Sequence, residues 1–393
     1  MVRREIKLKT NHDVVKWARE TSGYSASEVS KKLSINEEII DKWENEDCEI
    51  SLTVLRRLSK LYKRSFEVFL LPRAPQERSD PKYRLSEELQ QADIQKLKLI
   101  IRDAKWIQDT AEELNEKLQM YEGKIHKYKI NFAATEAAEI ERKEFNVTIN
   151  DQESWKDKKD ALNEWIYAIE RKGILIVQIS MPRWIRGFSM PDRVPQLIAL
   201  NALDTPTARI FTLFHEYAHI LLDESGVCDP SNPNILETSD QRGIEVWCNN
   251  FAASFLMPED ELRSLINQHG INQREISKLC YTLKVSKEAL LIRLYRLKII
   301  EDNYFKQEVE LAHRESLSYL EKKISKSKKH IEKMKAEGKS PKLNILSKAK
   351  REHSVNFIRL VLNGRKEGII TTKDAMDYLS VGAENLDKLG TSI

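Results

Sequence analysis

The spacing of apolar residues changes several times along the chain. Over residues 12 to 72 it recurs at three and four positions in short bursts, "HDVVKWARETSG", "SASEVSKKLSI", "NEEIIDKWENED" and "SLTVLRRLSKLYKRSFEVFL", which predicts a bundle of four or five amphipathic helices. Ser25, Asn36 and Ser51 are placed as N-caps and Gly23 as a C-cap. A break follows from Leu71 to Arg84, where three prolines and mixed charges mark a linker. From Ser86 to about Glu122 the pattern is that of one long polar helix, with Ile94, Leu97, Ile101, Ala104 and Ile107 on its apolar side.

Strands are expected only in the middle of the chain, at "GILIVQIS" (Gly173 to Ser180) and "PQLIALNA" (Pro195 to Ala202), which are short, rich in branched apolar residues and flanked by Gly or Pro. The helix that follows takes Thr205 as its cap and Pro206 in its first turn, and should stop near Gly226. The loop "DPSNPN" leads to a second helix from about Ser239 to Met257, ended by Pro258. "INQREISKLCYTLKVSKEALLIRLYRLKII" reads as helix, turn, helix, with Leu283, Val285, Leu290, Leu291 and Leu294 as core. Tyr319 to Arg351 carries twelve Lys or Arg against three Glu. It is expected as a solvated helical hairpin turning near "EGKSPK", with contact to nucleic acid or an acidic partner the less favoured use. Small helices close the chain. The organisation so read is 1–73, a helix-turn-helix domain; 74–125, linker and helical segment; 126–300, a catalytic-type domain; and 301–393, a basic helical C-terminal region.

Composition narrows the class. With 393 residues, 41% hydrophobic and 32% charged, the chain is long enough for several domains and at least one core that can bury a site. Its longest apolar runs fall far short of the roughly 18 to 20 residues that span a bilayer, so no membrane segment is expected. "MVRREIKLKT" has charge but no apolar stretch behind it, which argues against a secretory signal. Cys48, Cys228, Cys248 and Cys280 form no CxxC, a pattern that suits reduced thiols and a cytoplasmic location. The net charge of +4 neither demands nor excludes nucleic acid.

The stretch "FTLFHEYAHILL", Phe211 to Leu222, carries the chemistry. It places two of eight histidines, His215 and His219, four residues apart in an apolar run. At 3.6 residues per turn both imidazoles leave the same face and can reach one ion, while Glu216 stands at the flank. This is the HExxH arrangement: the histidines bind Zn²⁺, and the glutamate can take a proton from the water that the metal activates. A site of this kind needs a carboxylate from a second helix. Glu245 lies on the one long helix downstream, with Trp247, Phe251 and Phe255 available to pack its other side. A lone glutamate on a helix is ordinarily a solvated charge, and here the context reverses that reading. Asn249, one turn later, shares the face of Glu245 and can accept from the free N–H of a ligand histidine.

These segments resemble the ImmA/IrrE family of metallopeptidases. The resemblance rests on "RGFSM" (Arg186 to Met190), "PQLIALNA", "TPTARIFTLFHEYAHILL" and the pattern of Glu245, Asn249, Phe251, Ala252, Ala253, Leu256, Met257 and Pro258. It implies that His215, His219 and Glu245 ligate zinc and that Glu216 is the general base. Cys248 stands where the family usually has alanine. The first segment resembles the XRE-type helix-turn-helix through Glu28-Val29, Ile35, Trp43-Glu44 and Leu55, in the long architecture where such a domain precedes the peptidase. The fold class implied is mainly α, with an α+β zincin-like core of a small sheet and the HExxH helix, behind an N-terminal helix-turn-helix bundle.

A helix-turn-helix domain suggests DNA, and its second helix would meet the bases. Here that helix holds Glu37, Glu38, Asp41, Glu44, Glu46 and Asp47 against Lys42 alone, and phosphate repels it. Lys31, Lys32 and Lys42 are the candidate nucleic-acid contacts, and a protein-interaction or autoregulatory use competes with DNA. The expected function is that of a zinc endopeptidase cleaving a protein partner, a repressor, toxin or other regulator, in a stress, mobile-element or toxin-antitoxin setting. The alternative is a DNA- or toxin-binding regulator or antitoxin that keeps the zinc fold as a scaffold.

Overall fold

The computed structural model describes residues 6–62, 64, 66–75, 91–122, 125–224, 227–228, 239–266, 271–336 and 345–391. They form two compact units divided after Ile107. No helix among the described residues is long and apolar enough to cross a membrane.

The first unit runs β1 (Lys7–Thr10), α1 (His12–Thr21), α2 (Ala26–Leu33), α3 (Glu37–Asn45), β2 (Cys48–Ser51), α4 (Leu52–Tyr62), a 3-10 turn at Phe66–Leu70 and the start of α5 (Gln91–Leu118). The polar residues between apolar bursts act as caps. Ser25 and Glu28 form a reciprocal capping box, Asn36 accepts from the Glu38 amide, and Ser51 accepts from the Val54 amide. Gly23, just past α1, has a φ of 73°, a conformation open to glycine at little cost. Val15, Ala18, Val29, Leu33, Ile40, Leu55, Leu58, Tyr62 and Phe69 share one core.

One expectation fails here, because strands are not confined to the middle. β1 and β2 pair antiparallel, from Lys7 opposite Ser51 to Thr10 opposite Cys48. The partners are distant in sequence and half of β1 is lysine, so no run of apolar residues announces them.

The second unit continues with the rest of α5, then α6 (Ala134–Phe145), α7 (Ile149–Ser154), α8 (Lys158–Glu170), β3 (Leu175–Ile179), β4 (Gly187–Met190), β5 (Leu197–Asn201), α9 (Pro206–Leu222), β6 (Val227–Cys228) and α10 (Ser239–Leu256). Beyond these lie α11 (Glu259–Leu265), α12 (Gln273–Thr282), α13 (Lys287–Arg296), α14 (Asp302–Ala336), α15 (Ile345–His353), α16 (Val355–Lys366), α17 (Thr372–Leu379) and α18 (Ala383–Gly390). The sheet has the order β3-β5-β4-β6, with β3 and β5 parallel and β4 antiparallel to both its neighbours. β4 and β6 are further strands that the apolar pattern did not predict. α9 packs on β4 and β5, and α8 and α10 pack on α9.

Gly187 makes the packing of α9 on β4 possible. A Cβ there would stand 2.7 Å from both the Ala199 carbonyl oxygen and Thr212 Cγ2, closer than van der Waals contact allows. Thr205 caps α9 by accepting from the Ala208 amide, and Pro206 opens it. The helix ends earlier than the glycine rule suggested, at Leu222. Asp223 takes the left-handed C-cap conformation, φ 60°, and the Glu224 amide donates to the His219 carbonyl at 3.0 Å. Gly226, the loop "DPSNPN", residues 76–90 of the linker region and the turn near "EGKSPK" lie outside the described residues.

The C-terminal helices are part of this unit. α15 and α16 pack against β3. Glu170, at the end of α8, accepts from Ser354 Oγ at 2.6 Å and from the Val355 amide at 2.9 Å, where α16 begins. Phe357, Ile358, Leu360, Val361, Leu379, Leu386 and Leu389 are buried.

Candidate metal centre

α9 is buried almost all round because it lies between the sheet and the helices α8 and α10. Its apolar side is fixed by aromatic rings: Phe214 stacks on Phe255 of α10 with centroids 4.1 Å apart, and Trp165 of α8 meets Phe214 edge-on at 4.9 Å. Within α10, Trp247 stacks on Phe251 one turn later at 5.6 Å, and Phe251 in turn lies 6.1 Å from Tyr217 of α9. The C-terminal carbonyls of α10 receive buried cations. Arg142 donates to the Phe255 carbonyl at 2.6 Å, and Arg293 donates to that of Met257 at 3.2 Å, charges of the sign a helix C-terminus favours.

This packing brings His215, His219 and Glu245 together. His215 Nε2 and His219 Nε2 lie 3.2 Å apart. Glu245 Oε2 lies 3.3 Å from the first, and its Oε1 lies 3.5 Å from the second. Ligand atoms held about 2.1 Å from a zinc ion at tetrahedral angles are roughly 3.4 Å from one another. The three side chains therefore fit such an ion in both donor chemistry and spacing. The Asn249 amide oxygen stands 3.1 Å from His215 Nδ1. When Nδ1–H donates to it, the lone pair of Nε2 points toward Glu245. His219 Nδ1 is buried with no hydrogen-bond partner among the described residues.

Glu216 is fully buried, and neither of its oxygens has a hydrogen bond of ordinary geometry among the described residues. Burial raises its pKa, against the opposing pull of His219, His215 and the hydroxyl of Ser189. A carboxylate so placed is costly unless a cation or a donor comes to it. Burial also pushes Glu245 upward, but the hydrogen bonds and charges of His215 and His219 outweigh it and hold that carboxyl well below its usual range. Ser189 and Gly187, both on β4, were not singled out as site residues. Their signal lay within "RGFSM", a short stretch whose strand character depends on pairing with β5.

The candidate nucleic-acid contacts are not gathered in the same way. Lys31 and Lys32 end α2 and Lys42 lies on α3, all exposed, with Lys42 3.9 Å from Glu46. Glu44, one of the acids counted on α3, faces inward and is 5% exposed. Glu37, Glu38, Asp41, Glu46 and Asp47 remain exposed. Two further cations of this unit are used internally: Arg57 donates to the Leu33 carbonyl, and the Arg64 guanidinium lies 3.8 Å from the Trp17 ring centroid.

Known proteins share these two regions. Residues 169–295 match the family model of the IrrE N-terminal-like domain, Peptidase_M78, and residues 15–69 match that of the helix-turn-helix. The radiation response metalloprotease IrrE of Deinococcus radiodurans is 30% identical over 113 residues, which are 28% of this chain and 34% of that protein. The chain thus spans about a third of the length of the curated relative it matches. Residues 169–295 are thus similar to the IrrE N-terminal-like domain, behind an N-terminal region similar to the helix-turn-helix.

Proposed function

We propose that the chain is a cytoplasmic zinc-dependent endopeptidase that cleaves a protein partner such as a repressor, a toxin or another regulator. The observation that carries this reading is the convergence of His215 Nε2, His219 Nε2 and the Glu245 carboxylate, with the Glu216 side chain buried beside them. His215, His219 and Glu245 would hold the ion. Held there, zinc would supply Lewis acidity toward a peptide carbonyl and a water near neutral pH. Glu216 accepts the proton of the attacking water and returns it to the leaving amine. Its burial favours the protonated form, which suits it to hold the proton between the two steps. Asn249 keeps His215 in the tautomer that presents Nε2. The activity named for the Deinococcus relative supports the same assignment.

The helix-turn-helix leaves DNA as a second partner class. The exposed acids of α3 argue instead for a protein-facing role of that helix.

Glu216→Gln tests the reading. It keeps size, helix propensity and all three ligands while removing the base, so fold and metal content should persist and cleavage should fall by roughly a hundredfold or more. Wild type and variant expressed in the native host should differ in their new protein N-termini, and the inert variant should retain its substrate. Identical cleavage products in the two strains would leave the scaffold reading in its place.

A further inference from the structure

Between the two histidines α9 carries Tyr217, which is fully buried and, two residues from each, projects from the opposite side of the helix. Its hydroxyl donates to Glu141 Oε2 of α6 at 2.6 Å. Glu141 is itself fully buried and also accepts from Tyr128 at 3.1 Å and from Lys172 Nζ at 2.9 Å, with His126 Nδ1 3.2 Å away. Burial, followed by the charge of Glu141, raises the pKa of both tyrosines and keeps them as donors.

His126, Glu141 and Glu144 offer ligand atoms within 4.8 Å of one another, a spacing that would suit a second cation. The Lys172 ammonium already fills that role, since it binds Glu141 and, at 2.7 Å, Glu144. The cluster is an ion-paired anchor rather than a second metal centre.

From this anchor the segment 125–133 runs over both helices of the candidate metal centre. Lys127 Nζ donates to the Ile220 carbonyl at 2.9 Å and to Asp223 at 2.7 Å. The Tyr128 amide donates to the Leu221 carbonyl at 2.8 Å. The Ile220 carbonyl also accepts from the Asp223 amide at 3.1 Å, so the bond to Leu221 is the one that serves a carbonyl at the open end of α9. Farther along, the Phe132 carbonyl accepts from Trp247 Nε1 of α10 at 2.7 Å, and the Tyr128 ring lies 5.2 Å from Phe132 and 6.4 Å from Trp247. Trp247 is two residues from Glu245. The strap therefore grips the histidine helix at one point and the glutamate helix at another.

We infer that Glu141 and Trp247 are positioning residues of the metal centre, acting through the 125–133 strap to set the distance of Glu245 from the histidine pair. The inference rests on the metal reading above. Two ligands lie on α9 and the third on α10, so their separation depends on how these two helices are held against each other. Ligand geometry tolerates only small displacements, and loss of an outer partner that orients a ligand typically weakens metal binding by about 10- to 100-fold.

The test compares wild-type protein with Glu141→Gln, Tyr217→Phe and Trp247→Phe. Ile276→Val, in the same core on α12, controls for general loosening. Zinc affinity is read by chelator competition, and the visible absorption of the cobalt(II) form reports ligand geometry. Glu141→Gln and Trp247→Phe should bind zinc roughly tenfold more weakly and shift the cobalt bands. Tyr217→Phe should do so to a smaller degree, and Ile276→Val should change neither. If Glu141→Gln does not fold, Trp247→Phe and Tyr217→Phe decide. Folded strap variants with wild-type zinc affinity and an unchanged cobalt spectrum overturn this inference alone. A wild-type protein that binds neither metal overturns it together with the metal reading.

Discussion

Glu44 turns inward from α3 and holds Arg19 of α1 through two bonds of 2.6 and 2.7 Å. The pair is largely shielded, with Arg19 14% and Glu44 5% exposed, so its bidentate geometry is not diluted by water. Removing one partner leaves a charge without compensation. Glu44→Ala should lower the stability of the first unit by about 3 kcal/mol, measured by denaturant unfolding. A loss under roughly 0.5 kcal/mol would mean that the pair behaves as an exposed one.

The remaining face of α3 is still acidic, and this sets an expectation for DNA. The full chain should show no duplex binding whose affinity falls steeply with salt at micromolar protein. Lys42→Glu should then have no effect on any residual retention. A footprint on a specific operator that disappears with this substitution would establish α3 as a reading helix.

Elemental analysis addresses the metal. Purified protein should carry about one zinc per chain, as expected for three protein ligands and one open position. His215→Ala and His219→Ala should lose it, and Glu245→Ala should weaken it. Full occupancy in the Glu245 variant would transfer the third-ligand role to another residue.

A different carboxyl controls pH dependence. Burial pushes Glu170 up to about 7, opposed by its bonds to Ser354 and Val355. The folded state thus binds a proton that the unfolded chain releases near its ordinary glutamate value. Below about pH 4 both states are protonated, and as pH rises toward 7 the folded state loses up to roughly 3 kcal/mol relative to the unfolded one. Glu170→Gln keeps an acceptor for Ser354 and Val355 without the ionisation. It should therefore be more thermally stable than wild type at pH 8 and match it near pH 4. A variant destabilised equally at both pH values would show that Glu170 works as an anion.

What the sequence disclosed and what it hid divide along the range of the interactions. β3, β5 and the register of α9 follow from local apolar spacing, the fold class came from the family resemblance, and Ser25, Asn36 and Thr205 cap as their side-chain chemistry requires. The i to i+4 relation of His215 and His219 is a property of one helix. Their approach to Glu245 requires two helices to pack, yet the spacing of Glu245 and Asn249 on α10 carried enough information to suggest it. β1, β2 and β4 went unread because each is a short strand whose identity lies in a distant partner. The end of α9 was misplaced because Asp223 adopts a backbone conformation that glycine more commonly fills. Glu44 was counted as a surface charge although it lies one turn after buried Ile40, because a lone acid on the inner face is explained only by its partner Arg19, 25 residues earlier.

The cover that α15 and α16 lay over β3 has a consequence for how this chain can be divided. β3 is the outer strand of its sheet and nearly all apolar, and the peptidase match ends at residue 295, well before those helices begin. A fragment cut to the matched residues would bare a hydrophobic strand border, a template for strand addition from a neighbouring molecule. The recognisable domain and the smallest soluble piece are then different lengths of chain, and the second includes helices that hold no part of the candidate site.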